Sequence, residues 1–174
     1  MKIPNEYFLT SGAGESNLPS SETGSFDAAL VDAELPNVNI VTYSSIIPPK
    51  AKEIPKVNNK WGEVVECILS RKDGTKGQTI SVGVMIVDVF NPSGVKLGGL
   101  ALEYSGKESY TISKGKLGIV LKEMIYRRNY GILENQKTDL GYTVILKNYN
   151  FKSMVVKKKY GTVISAICFK NFLF

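Results

Sequence analysis

The chain has 174 residues and a net charge of +6, from 22 lysines and arginines against 16 aspartates and glutamates, with no histidine at all. An apolar share of 43% is that of a folded globular chain, and the length suits a single domain, 1–174, with a real core. Without histidine, serine chemistry that leans on an imidazole base is excluded, and Cys67 and Cys168, which form no C-x-x-C pair, leave no zinc site of the usual kinds and no metal to expect.

Met1 to Glu6 carries no apolar signal-peptide core, and no uncharged apolar run approaches the ~20 residues of a membrane helix. A soluble, cytoplasmic protein with reduced, buried thiols and no membrane partner is expected. Residues 11–25, rich in serine, glycine and proline, read as a loop that includes the flexible run Gly12-Ala13-Gly14. A short helix over 25–34 follows, capped by Ser25, with Phe26, Ala29, Leu30 and Ala33 at helical spacing and Pro36 ending it. Residues 38–43 form a strand, and Pro48, Pro49 and Pro55 rule out a central strand after it.

A strand over 61–71, a turn at Lys72-Asp73-Gly74, and a hairpin over 78–104 turning at Asn91-Pro92-Ser93-Gly94 come next. Residues 113–130 suit a helix capped by Ser113, with Leu117, Val120, Leu121, Met124 and Ile125 on one face, though Gly115 and Gly118 weaken it. Strands near 142–147, 151–157 and 161–169 complete a strand-rich α+β fold with helices on the outside of packed sheets. Lys157-Lys158-Lys159 is the one tight basic cluster. It reads as a solvated turn, a phosphate-binding patch being the competing reading, and no nucleic-acid partner is expected.

Ser-Ser occurs twice, and context separates the two. Ser20-Ser21 lies in a polar loop, whereas Ser44-Ser45 ends the strand Val38-Asn39-Ile40-Val41 and precedes Ile46-Ile47-Pro48-Pro49. A reactive serine here has to act without histidine, and one known solution is attack on its own backbone. The blocks Gly12-Ala13-Gly14-Glu15-Ser16, Phe26-Asp27-Ala28-Ala29-Leu30, Asn37-Val38-Asn39-Ile40-Val41, Ser44-Ser45-Ile46-Ile47-Pro48-Pro49 and Gly98-Gly99-Leu100-Ala101-Leu102-Glu103-Tyr104 together resemble the pyruvoyl-dependent arginine decarboxylases. Order and spacing fit along residues 4–105, and Tyr160 to Ala166 is similar to the last strand of that family.

The resemblance implies a four-layer α-β-β-α sandwich, assembled as a trimer of processed protomers with active sites between neighbours. It also implies a zymogen. The Ser45 hydroxyl attacks the Ser44 carbonyl to give an ester, and β-elimination cuts the chain. Residues 1–44 become the β chain, and a covalent pyruvoyl group derived from Ser45 starts the α chain, 45–174. As a carbon–carbon lyase the product forms a Schiff base with L-arginine and releases carbon dioxide and agmatine, a step of polyamine biosynthesis. By the same resemblance Glu103 is the acid that protonates the resulting carbanion, which requires a raised pKa. Asp27 is the anchor for the guanidinium, Asn39 polarises the Ser44 carbonyl during self-cleavage, and Leu30 and Val38 wall the pocket.

Read on residue type alone, each of these has a plainer role: a strand-end carboxylate for Glu103, a surface helix residue for Asp27, a strand-edge hydrogen bond for Asn39, core packing for Leu30 and Val38. Two other functions fit the same chain. One is a pyruvoyl-dependent decarboxylase of another amino acid, of the histidine type; the other is an unprocessed homologue that binds or regulates without catalysis. The chain departs from the family in carrying Pro36 where relatives often have glycine, in its glycine-interrupted helix, and in a longer segment over 134–149.

Overall fold

The computed structural model describes residues 2–18 and 23–174, so Ser20-Ser21 and the middle of the loop expected over 11–25 lie outside the described residues. In chain order the elements are β1 (Ile3–Ser16), α1 (Thr23–Asp32), β2 (Asn39–Thr42), β3 (Ile46–Ile47), β4 (Lys52–Glu53), β5 (Val64–Thr75), β6 (Thr79–Phe90), β7 (Lys96–Gly106), α2 (Tyr110–Arg127), β8 (Leu133–Glu134), β9 (Lys137–Thr138), β10 (Thr143–Val155) and β11 (Tyr160–Leu173). They make two sheets, ordered β2-β5-β11-β1-β4 and β3-β7-β6-β10-β9-β8.

Strand alternation divides the apolar residues into layers. On β6, Val84 and Ile86 meet Tyr7, Ile68, Ala101, Ile167 and Phe169 between the sheets. The opposite face of the same strand, Met85, Val87 and Val89, packs with Leu100, Leu102, Leu117 and Ile125 under α2. On the other sheet, Phe8, Val65, Cys67, Ile164, Ala166 and Cys168 form a third cluster with Ala29 of α1 and Ala33 just after it. The chain is thus a four-layer α-β-β-α sandwich. The sheets are tied together by polar links as well: Ser70 Oγ donates to the Tyr104 carbonyl, and Lys147 Nζ donates to Tyr7 OH at 2.7 Å.

Several expectations are corrected. Residues 11–16 are not a loop; they continue β1, which pairs with β11 from Ile3↔Leu173 to Ser16↔Tyr160. Glycine is needed there for contact rather than flexibility, since a Cβ on Gly12 would lie 2.1 Å from the Ala29 carbonyl oxygen of α1. Ser25 does not cap the helix but lies inside α1, buried, with its Oγ 2.8 Å from Thr162 Oγ1. Lys72-Asp73-Gly74 does not turn, because β5 keeps pairing with β11 through Tyr160↔Thr75, and the chain reverses at Gly77, with φ 88. The second helix begins at Tyr110 with Ser109 as its cap, and Ser113 is buried against Tyr149 OH at 2.7 Å. The two strands expected over 142–157 are one strand, β10, bent by an irregularity between Leu146 and Asn148. Among the described residues no helix is long and apolar enough to cross a membrane.

Candidate active site

β2 is an edge strand of the first sheet and β3 an edge strand of the second, so Tyr43, Ser44 and Ser45 carry the chain from one sheet to the other. Each end of this crossover is pinned. The Tyr43 amide donates to the Cys67 carbonyl of β5 at 2.8 Å, and the Ala101 amide of β7 donates to the Ser45 carbonyl at 2.9 Å. Beyond it, β3 lies close on β7, with Ile47 opposite Gly99. That approach needs glycine: a Cβ on Gly98, whose φ is 152, would sit 3.0 Å from the Ile47 carbonyl oxygen.

Inside the crossover the Ile46 amide donates to the Ser44 carbonyl at 2.9 Å, a three-residue turn centred on Ser45. The donor polarises the one carbonyl that a Ser45 hydroxyl attack would address, and stands ready for negative charge on its oxygen. The Ser45 hydroxyl itself donates to Glu103 Oε2 at 3.2 Å. Glu103 shares its face of β7 with Ala101, while Leu100, Leu102 and Tyr104 turn the other way into the core under α2. Its side chain keeps an opening to solvent, yet loss of hydration at the sheet edge pushes its carboxyl above the usual carboxylate range, against the opposing hydrogen bond from Ser45. A carboxyl shifted in this direction holds a proton more readily than an ordinary one.

The other expected residues stand apart from this pair. Asp27 is exposed on α1, on the outer face of the first sheet. Leu30, one turn later, packs beside Val38 and Ile40 at the rim of the cluster beneath α1. Asn39 opens β2, and its Nδ2 donates to the Gly62 carbonyl at 3.2 Å. Five residues of extended chain, roughly 16 Å, separate Asn39 from Ser44, so within one chain its amide does not reach the Ser44 carbonyl. The polarising donor that the structure places there, the Ile46 amide, is a main-chain group that no residue-type pattern marks.

The chain therefore carries two groups: Ser44, Ser45 and Glu103 at the crossover, and Asp27, Leu30, Val38 and Asn39 around α1 and the start of β2. Two clefts among the described residues, one of about 640 Å³ near Lys72, Asp73 and Lys107 and one of about 860 Å³ near Lys50, Glu53 and Lys147, include neither group. Exposed apolar side chains stand on and near β2, with Val31, Val41 and Val64 more than two-fifths exposed and Trp61 85% exposed.

The family profile described as pyruvoyl-dependent arginine decarboxylase matches residues 6–174. A pyruvoyl-dependent arginine decarboxylase of Methanococcus aeolicus is 38% identical over 105 residues, which cover 60% of this chain and 60% of that protein. The pyruvoyl-dependent arginine decarboxylase 1 of Methanosarcina mazei is 34% identical over 131 residues, 71% of this chain and 74% of its own length. The pyruvoyl-dependent arginine decarboxylase of Methanocaldococcus jannaschii is 34% identical over 110 residues, 61% of each chain.

Proposed function

The chain belongs to the pyruvoyl-dependent arginine decarboxylase family, and from that premise we propose that it cuts itself between Ser44 and Ser45 and then decarboxylates L-arginine to agmatine and carbon dioxide. Membership implies a covalent pyruvoyl group. The residues present fit it: Ser45 is its precursor, and the Ala101 amide, 2.9 Å from the Ser45 carbonyl oxygen, would hold the amide next to the new ketone. The pyruvoyl group supplies a carbonyl that bonds the substrate amine and accepts the electron pair left behind by carbon dioxide.

The observation that carries this reading is the contact of Ser45 Oγ with Glu103 at 3.2 Å beside a Ser44 carbonyl held by the Ile46 amide. Glu103 takes the hydroxyl proton as Ser45 Oγ adds to the Ser44 carbonyl carbon. The Ile46 amide stabilises the charge on the carbonyl oxygen, and the Ser44–Ser45 peptide nitrogen leaves to give the ester. Elimination across Ser45 releases the carboxylate of Ser44 and leaves an enamine, which shifts to the imine; water adds to that carbon and ammonia departs, leaving the ketone. In decarboxylation the same Glu103, its carboxyl raised by burial, returns a proton to the carbon that has lost its carboxylate.

Asp27 meets the substrate guanidinium in a two-point contact, with Leu30 and Val38 against its methylene chain. These residues serve the crossover of a neighbouring copy rather than their own. The separation of the two groups within one chain and the exposed apolar surface of Val31, Val41, Trp61 and Val64 support a ring of protomers with shared sites. Asn39, at the same edge, reaches the neighbour's Ser44–Ser45 segment.

The test is the intact mass of the purified protein under denaturing conditions, with agmatine formation measured in parallel. Two species, 1–44 and a 45–174 chain lighter than its serine form, together with turnover of arginine in preference to histidine, ornithine and lysine, are expected. Decarboxylation that survives in Ser45→Ala would overturn the reading. An uncleaved wild-type chain without activity would instead support a binding or regulatory homologue.

A further inference from the structure

Cys67 on β5 and Cys168 on β11 are direct partners across the antiparallel ladder. The Cys67 carbonyl points away from β11, because it accepts the Tyr43 amide of the crossover at 2.8 Å. In a strand the N–H and C=O of one residue face the same side, so Cys67 and Cys168 form a non-hydrogen-bonded pair. Such pairs bring the Cα atoms to about 4.5 Å and the side chains closest together, inside the Cα range a disulfide spans, about 4.4–6.8 Å. Both side chains point to the same side, into the cluster beneath α1, and both are 0% exposed. What the placement adds is two sulfur atoms poised to bond without moving the backbone.

We propose that Cys67 and Cys168 are a reversible disulfide site, closed by hydrogen peroxide across the β5–β11 ladder. One sulfur attacks a peroxide oxygen, giving a sulfenic acid and the first water. The second sulfur attacks the first, and the hydroxyl departs with the remaining thiol proton as the second water. Two thiols are oxidised by two electrons and one peroxide is reduced to two waters, and a dithiol reverses the bond by exchange. The thiols are admitted to so small an oxidant by opening of β2, a four-residue edge strand with three exposed positions that flanks β5 at Cys67. The bond ties the strand that holds Tyr43 to the sheet centre, and both cysteines lie on the same side of Ser44–Ser45, so it forms within one chain whether or not the chain has been cut.

The experiment uses the purified protein in its native assembly, exposed to a peroxide series, quenched, denatured and alkylated with N-ethylmaleimide. The untreated chain bearing both cysteines is expected to take two alkyl groups, the treated chain none, and the treated chain two again after dithiothreitol. Digestion without reduction should yield one linked pair of peptides containing Cys67 and Cys168. The oxidised protein should melt at least about 5 °C above the reduced one, as closing a loop of some hundred residues requires, and Cys168→Ser should show no oxidant-dependent rise. Two alkylated thiols after treatment, oxygen added to sulfur without a linked peptide pair, or a bond between two chains would each overturn the proposal.

Discussion

Replacing Gly12 by alanine separates a contact role for the Gly-Ala-Gly run from a flexible one. The new Cβ would lie 2.1 Å from the Ala29 carbonyl oxygen, 2.7 Å from the Ala33 amide and 2.9 Å from the Ala33 Cβ, where 3.4 Å is the start of ordinary contact. Two of these atoms are backbone, so no rotamer change relieves the overlap, and α1 has to lift by about 1.3 Å from β1. Overpacking of this kind costs up to about 3 kcal/mol, and the restricted unfolded chain returns roughly 0.4–1. A net loss of about 2 kcal/mol lowers Tm by roughly 4–8 °C in a chain of this size. The assay is thermal unfolding at fixed protein concentration beside Gly115→Ala. Gly115 lies inside α2 with nothing within 4 Å of an added Cβ, and there alanine should raise Tm by a few degrees through helix propensity. Because Asp27 rides on α1, Gly12→Ala should also raise KM for arginine while chain cleavage proceeds. A Gly12→Ala protein that melts with or above the wild type would refute the close contact and return this run to the role of a flexible loop.

Asp27→Asn should leave cleavage intact and raise KM for arginine roughly 10–100-fold, the loss of a charge-assisted pair, as read from steady-state kinetics and intact mass. Glu103→Gln should slow cleavage and change the acid response of stability. With the folded pKa of Glu103 raised, the native state binds more protons than the unfolded chain as pH climbs from the ordinary carboxylate value to the raised one. Wild-type stability therefore falls across that window. The glutamine variant lacks this fall, so its Tm relative to wild type should rise with pH. Ser70→Ala removes the buried link to the Tyr104 carbonyl between the sheets and should cost about 1–3 kcal/mol in denaturant unfolding.

The long strands were legible because β-branched residues mark them. Ile80, Val82, Val84, Ile86, Val87 and Val89 announce β6, and the hairpin to β7 follows from Asn91-Pro92-Ser93-Gly94. β1 was hidden because the face that meets a helix at close range is built of Gly12 and Gly14, which carry no apolar signal. Lys72-Asp73-Gly74 has the composition of a turn, but pairing with Thr162 and Gly161 on β11 overrides it. The strands β3, β4, β8 and β9 have two residues each, too few for any period to show. For the site, the Ser45–Glu103 contact was foreseeable through family likeness alone, since 58 residues separate the two. The Ile46 amide at the Ser44 carbonyl is a main-chain group and leaves no trace in residue types.

The sheet order gives the Ser44–Ser45 bond a mechanical character of its own. β1 is not at a border: it lies between β11 and β4, and its ladder with β11 runs along nearly its whole length. A cut at that bond therefore discharges no peptide. The shorter piece would stay held by that ladder, by the two-residue pairing of β1 with β4 and by the packing of α1, and the two pieces would behave as a reconstituted split protein. Only denaturant, not dilution, should part them, because withdrawing the shorter piece would strip the whole β1 ladder from β11.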